Sequence, residues 1–196
     1  MAVAAFRRAR ETPTVIVTEP LRPIGYHGTS RADAQLVLRD GFQISRNAYD
    51  WLGDGVYFFQ DAPYRAREWA ARRHGQDGVV LRSAIRLDDC LDLLDIQSND
   101  LLVEAYTSFV EMSRQMGIPL PRQTTGAHRL DRAVINYAVT FLAQQRGMLF
   151  RAVRGVFAEG VSVFPDSAIL NRAHVQIAVR DMTCIETVEL LGVEES

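Results

Sequence analysis

Three short stretches carry residue types that their apolar pattern does not require. The first is Tyr26-His27-Gly28-Thr29-Ser30. A histidine beside a glycine at a strand end can turn its ring into a cleft while the backbone comes close to a ligand; the same five residues also suit a surface turn. The second is Asp50-Trp51-Leu52-Gly53-Asp54-Gly55-Val56-Tyr57-Phe58-Phe59. Its two glycines permit a tight backbone turn, and Tyr57 offers a flat face with a polar tip. Such a ring can stack on a planar heterocycle or belong to an aromatic core strand. The third joins Arg154-Gly155-Val156-Phe157-Ala158-Glu159-Gly160 to His174-Val175-Gln176-Ile177-Ala178-Val179-Arg180-Asp181. Glu159 sits where packing demands no carboxylate, and Gln176 alternates with Val175, Ile177 and Val179, which turns it away from the strand's apolar side. An ordinary loop acid and a solvent-facing amide fit these two positions as well.

Other chemistries lack their residues. No Gly-Lys-Ser/Thr follows the glycines to make a phosphate loop, and there is no Gly-x-Gly-x-x-Gly between a strand and a helix. A Gly-x-Ser-x-Gly elbow is missing too. His27, His74, Cys90, His128, His174 and Cys184 have no paired metal-ligand spacing, so no metal is expected. His74 and His128 read as surface residues, and His174 as a residue of the packed face or a loop. Trp51 and Asn47 precede the tyrosine strand and are placed to wall a pocket, with core packing the alternative for Trp51.

Taken together, the stretches resemble the ADP-ribosyltransferase superfamily, in the branch like poly(ADP-ribose) polymerases and diphtheria toxin that is built on a His-Tyr-Glu triad. Tyr26 to Ser30 looks like its first motif. Gly53 to Phe58, followed by Ala66 and Trp69-Ala70, looks like its second. The likeness covers residues 24–75 strongly and 150–191 weakly, and 90–148 show none of it. A softer likeness is to bacterial members of toxin–antitoxin and phage-defence loci. The resemblance implies NAD+ as substrate. His27 would then hydrogen-bond the adenine-side ribose, the Gly28 backbone would grip the nicotinamide carboxamide, and Tyr57 would stack on the nicotinamide. Thr29, Ser30 and Gly55 would lie beside the dinucleotide.

In that alignment Gln176 stands where the family has its glutamate. Cleavage of the nicotinamide–ribose bond passes through an oxocarbenium-like state that a carboxylate stabilises. Glutamine keeps the hydrogen bond and loses the charge, a loss on the order of 3 kcal/mol or about a hundredfold in rate. This favours transfer of a single ADP-ribose over chain elongation. Glu159 could restore the carboxylate and is an equal candidate for the acidic role. The implied reaction is mono-ADP-ribosylation of RNA, DNA or protein with release of nicotinamide, and a cognate antitoxin is a candidate partner. The alternatives are an NAD glycohydrolase, a catalytically silent ADP-ribose or nucleotide-binding module, and a partner-binding domain using its long helices.

The elements that must position these residues follow from period and punctuation. Ile24 begins a short strand that runs into a turn at Gly28 to Ser30. Ser30 caps a helix to Asp40, with Ala34, Leu36 and Val37 inward and Gly41 as its stop. Gly53 to Phe59 is a glycine turn feeding a strand, and Asp61 and Pro63 open a helix to about His74. Val79 to Leu87 reads as a buried strand. Two amphipathic helices follow, marked by Leu101 to Val110 and Leu130 to Leu142, ending before Gly117 and at Gly147. Strands return at Arg151 to Phe157, Val175 to Val179 and Cys184 to Leu190. The order predicts an α+β fold: two small facing sheets forming a split core, one domain over 13–196 with a helical insertion from about 98 to 148, and a loose arm at 1–12.

Composition sets the outer bounds. The 196 residues are 47% apolar and 23% charged, which fits a single packed domain. No apolar run is long enough to span a membrane, and Met1 to Arg10 carries three arginines with no apolar stretch behind them. With two cysteines and no disulfide framework, a reducing, cytoplasmic setting is expected. All 22 basic residues are arginine, yet the net charge is -2, which argues against a nonspecific duplex-DNA binder.

Overall fold

Among the described residues, four α-helices and seven strands follow one another as β1 (Ile24–Ser30), α1 (Arg31–Asp40), β2 (Val56–Gln60), α2 (Pro63–His74), β3 (Gly78–Ala84), β4 (Cys90–Asp92), α3 (Ile96–Met116), α4 (Arg129–Arg146), β5 (Ala152–Phe157), β6 (His174–Val179) and β7 (Glu189–Leu190). The computed structural model describes residues 21–124 and 126–192, so the arm expected at 1–12 lies outside the described residues. The fold is α+β, and the expected helical segment is the α3–α4 pair between β4 and β5. Among the described residues no helix is long and apolar enough to cross a membrane.

Local chemistry explains the element ends. The Ser30 hydroxyl accepts from Asp33 N–H at 3.0 Å to start α1, and Gly41, at φ 85°, ends it. Pro63 occupies the first turn of α2, where its missing N–H costs nothing. Two expectations need correction. Leu36 is 48% exposed, because α1 turns Ala34 rather than the Leu36 side of its surface into the core. The strand expected from Cys184 to Leu190 shrinks to Glu189–Leu190, since the Asp181 carboxylate caps Thr183 N–H and winds Met182–Cys184 into a 3₁₀ turn.

All seven strands hydrogen-bond in one order, β4-β5-β6-β2-β1-β3-β7, mixed through the parallel β4–β5 pair. The two halves expected as separate sheets are therefore joined, but the join is short. β1 pairs with β3 along its whole length, from Ile24↔Ala84 to Ser30↔Gly78. With β2 it pairs only at Gly25↔Gln60 and Tyr26↔Phe59. Beyond Tyr26 the two strands run unpaired.

That parting leaves backbone groups facing a gap, and alternation shows which ones. Pro23 C=O accepts from Ile85 N–H on the β3 side, whereas Ile24 C=O accepts from Asp61 N–H on the β2 side at 2.8 Å. Peptide groups alternate sides along a strand. Gly28, four residues beyond Ile24, therefore turns its N–H and C=O toward the gap. On the opposite lip Gly55 is closed off by exchange of hydrogen bonds with Ser45 at 3.0 and 3.2 Å.

Helices α2 and α4 cover the Tyr57 face of the sheet and α1 covers the other. α2 approaches β1 closely because Gly28 has no side chain: a Cβ there would lie 2.6 Å from Ala66 C=O and 3.2 Å from Ala70 Cβ. α4 holds the loop before β2. Its Asn136 Oδ1 accepts from Asp54 N–H, its Nδ2–H donates to Asp54 Oδ1, and Arg132 pairs with the same carboxylate at 2.7 Å. Ile135 packs there with Leu52, Leu91, Val153 and Ala178.

Candidate functional site

The gap between β1 and β2 opens into a crevice of about 550 Å³, whose lining includes His27, Gly28, Tyr57, Gln176 and Glu159. Five of the residues singled out from the sequence are thus brought together. Three are not. Thr29 is buried, Ser30 is occupied as the cap of α1, and Gly55 lies against Ala178 and Val179, where an added Cβ would sit 3.0 Å from Val179 C=O.

His27 and Tyr57 stem from opposite faces of the sheet, as the register shows: Tyr26 lies beside Phe59, which shares its face with Tyr57. Only the parting of the strands lets them meet. The His27 ring closes on the β2 lip, with Nδ1 2.8 Å from Tyr57 C=O. A carbonyl only accepts, so Nδ1 carries the proton and Nε2 keeps a lone pair. Phe42 and Phe58 flank the ring at 5.3 and 5.8 Å between centroids. Burial pushes the imidazole below its ordinary pKa, outweighing the Tyr57 carbonyl and the nearby Asp33 charge, so it is neutral at pH 7.

The Tyr57 hydroxyl is committed to the loop behind it. It donates to Gly53 C=O at 2.8 Å and accepts from Leu52 N–H at 2.9 Å. Burial, reinforced by the Asp50 carboxylate, raises this phenol far above its usual range, so it stays protonated. With the hydroxyl so engaged, the ring is held in place as part of the crevice wall.

Gln176 lies beside Phe59 on β2 and Gly155 on β5. Its Oε1 accepts from Trp51 Nε1–H at 2.7 Å, and its Nε2 lies 2.8 Å from His174 Nε2. Trp51 reaches it because Gly155 is bare; a Cβ there would lie 2.8 Å from the indole Cη2. His174 is buried, 8% exposed, between Phe59 and Phe157. Burial holds its pKa below the ordinary value.

Glu159 is paired rather than free. Arg65 donates to it at 2.7 Å and also binds Glu68, which Arg172 meets at 2.5 Å. The Arg65 guanidinium stands 5.6 Å over the Phe59 ring, and its Nε is buried with no partner.

Several lining residues were missed or misread in the sequence. His128 reads there as a surface residue, but its half-buried ring meets Phe157 at 5.6 Å and lines the crevice. Arg65, Trp69, Arg72 and Arg73 form one lining face of α2. Their helical spacing was readable, but which side of α2 meets a cavity was not. Asn47 and Trp51 do line the crevice, as their position before the tyrosine strand suggested. Among the described residues no group of three or more His, Cys, Asp or Glu is arranged to hold a metal. No protein-family model matches the chain, and no curated protein matches it.

Proposed function

We propose that this chain transfers one ADP-ribose from NAD+ to a macromolecular acceptor and releases nicotinamide. The observation that carries this reading is the parted β1–β2 ladder. It turns the Gly28 N–H and C=O, the His27 ring and the Tyr57 ring onto a single crevice of about 550 Å³. That size falls within the roughly 300–1,000 Å³ of small-ligand pockets. On this reading the joined sheet is a split ADP-ribosyltransferase core hinged at Tyr26↔Phe59.

The donor and acceptor inventory fits the substrate. A carboxamide offers one acceptor and two donors, which complement the paired N–H and C=O of Gly28. The Tyr57 face supplies a stacking surface for the nicotinamide. His27 Nε2 is an acceptor for a ribose hydroxyl on the adenine side. Arg72 and Arg73 at the rim suit the pyrophosphate. Gln176 provides polar contact to the nicotinamide-side ribose without a negative charge, which fits transfer of a single unit. Glu159, on the loop after β5 and paired with Arg65, is the carboxylate we assign to the acidic role beside Gln176. The setting we propose is a bacterial toxin or phage-defence effector acting in the cytoplasm, with RNA, DNA or protein as acceptor and a cognate antitoxin as partner.

The test is incubation of the pure protein with labelled NAD+ and separate pools of RNA, DNA and protein. Label in one pool, lost in His27→Ala and Tyr57→Ala, is expected; free ADP-ribose with no labelled macromolecule would replace transfer by NAD glycohydrolysis. Gln176 in the glutamate's place favours a second reading, a silent nucleotide-binding module. NAD+ binding with no nicotinamide release would select it.

A further inference from the structure

The contacts of Gln176 admit one assignment of protons. The indole N–H of Trp51 can only donate, so the side-chain oxygen of Gln176 must face it. The amide NH₂ then faces His174 Nε2 at 2.8 Å, and that nitrogen must be the acceptor. The imidazole proton is left on Nδ1, where it donates to Arg172 C=O at 2.6 Å. Every member is satisfied, and only one N–H of the amide is used.

A charged His174 breaks this arrangement. Both of its ring nitrogens would then donate. The amide could offer its oxygen to His174 only by turning its NH₂ onto the Trp51 N–H. In either orientation one donor faces another.

We propose that His174 is a positioning residue: as the neutral Nδ1–H tautomer it holds the Gln176 carboxamide in one orientation, offering the second amide N–H to a ligand oxygen in the crevice. With His174 neutral, glutamine is the residue that pairs with its Nε2 lone pair, whereas a glutamate at 176 would be paired only once His174 takes up a second proton. The identity of the ligand rests on the NAD+ reading above; the hydrogen-bond assignment does not. Phe59 and Phe157 face the ring without charge. The charged groups nearest it are the Arg65 guanidinium of α2 and the Glu159 carboxylate after β5, which pair with each other at 2.7 Å. His128 is the other titratable ring in this aromatic group, meeting Phe157 edge-on at 5.6 Å between centroids. Arg172 contributes only its carbonyl to the ring.

Two measurements on the intact chain test this. Nitrogen-15 NMR of the imidazoles should show His174 protonated on Nδ1 at neutral pH, and Gln176→Glu should raise its titration midpoint by about 1–3 pH units, as a facing carboxylate does. An Nε2–H tautomer, or a midpoint unmoved by Gln176→Glu, overturns the proposal. The second is the pH profile of nicotinamide release. His174→Gln keeps an acceptor and cannot titrate, so it should hold wild-type kcat at pH 7 and lose the His174 part of the acid limb. His174→Phe keeps the ring between Phe59 and Phe157 but not the acceptor, and should lower kcat about tenfold with little change in KM. Wild-type kcat in His174→Phe also overturns the proposal. If the wild type releases no nicotinamide, the transferase reading falls, and the NMR titration still decides the role of His174.

Discussion

Tyr57→Phe separates two uses of one side chain. The substitution keeps the ring that lines the crevice and removes the hydroxyl that ties Leu52 N–H and Gly53 C=O. Leu52 is fully buried, so its N–H finds no water when the phenol oxygen is gone. An orphaned buried donor costs about 1–3 kcal/mol, and the lost bond to Gly53 adds roughly 0.5–1.5 kcal/mol. The expected destabilisation is about 2–3 kcal/mol. For a chain of this length each kcal/mol lowers the melting temperature by about 2–4 °C, so a fall of about 5–10 °C is expected by differential scanning calorimetry. On the proposed reading the ring that stacks on nicotinamide survives, so the KM for NAD+ should change less than about threefold. Tyr57→Ala removes the ring as well, lowers stability further by opening a cavity, and should abolish nicotinamide release. A Tyr57→Phe protein that melts with the wild type would refute the clamp. One that loses NAD+ binding while keeping its melting temperature would mean that the hydroxyl serves the ligand rather than the loop.

Other positions make separate demands. Gly28→Ala sets a Cβ 2.6 Å from Ala66 C=O, so α2 must move off β1; lower stability by about 1–3 kcal/mol and weaker NAD+ binding are expected from chemical denaturation and calorimetry. Gly155→Ala drives the Trp51 ring from its seat, and a shift in indole fluorescence together with loss of the acid-limb dependence on His174 should report it. The pH dependence of stability follows from His27 and His174, whose folded pKa values lie below the ordinary 6.5. Above pH 6.5 both states hold these rings neutral. As pH falls below it the unfolded chain binds protons that the fold resists, so stability drops by at most about 1.4 kcal/mol per pH unit per ring until the folded pKa is passed. Denaturant titrations between pH 5 and 7 should show this slope, reduced in His27→Asn. A flat profile would mean that these rings are not buried as neutral groups.

The amino-acid order by itself determined the local elements and their ends. Ser30 and Gly41 mark α1, Gly117 and Gly147 stop the long helices, and the aromatic run after Gly55 is a strand, because caps, left-handed turns and strand alternation act within a few residues. It also marked the stretches around His27 and Tyr57 as carrying residue types beyond what their apolar pattern requires. What the order could not express is how far two strands stay paired. The ladder of β1 and β2 ends at Tyr26↔Phe59 through the combined pull of β3, β6, α2 and the Ser45↔Gly55 bridge, contacts remote along the chain. The same reason hid His128, Arg65 and the Trp51–Gln176–His174 contacts. Each joins elements up to 125 positions apart, and the bare Gly155 that admits Trp51 means something only once β5 lies beside β6.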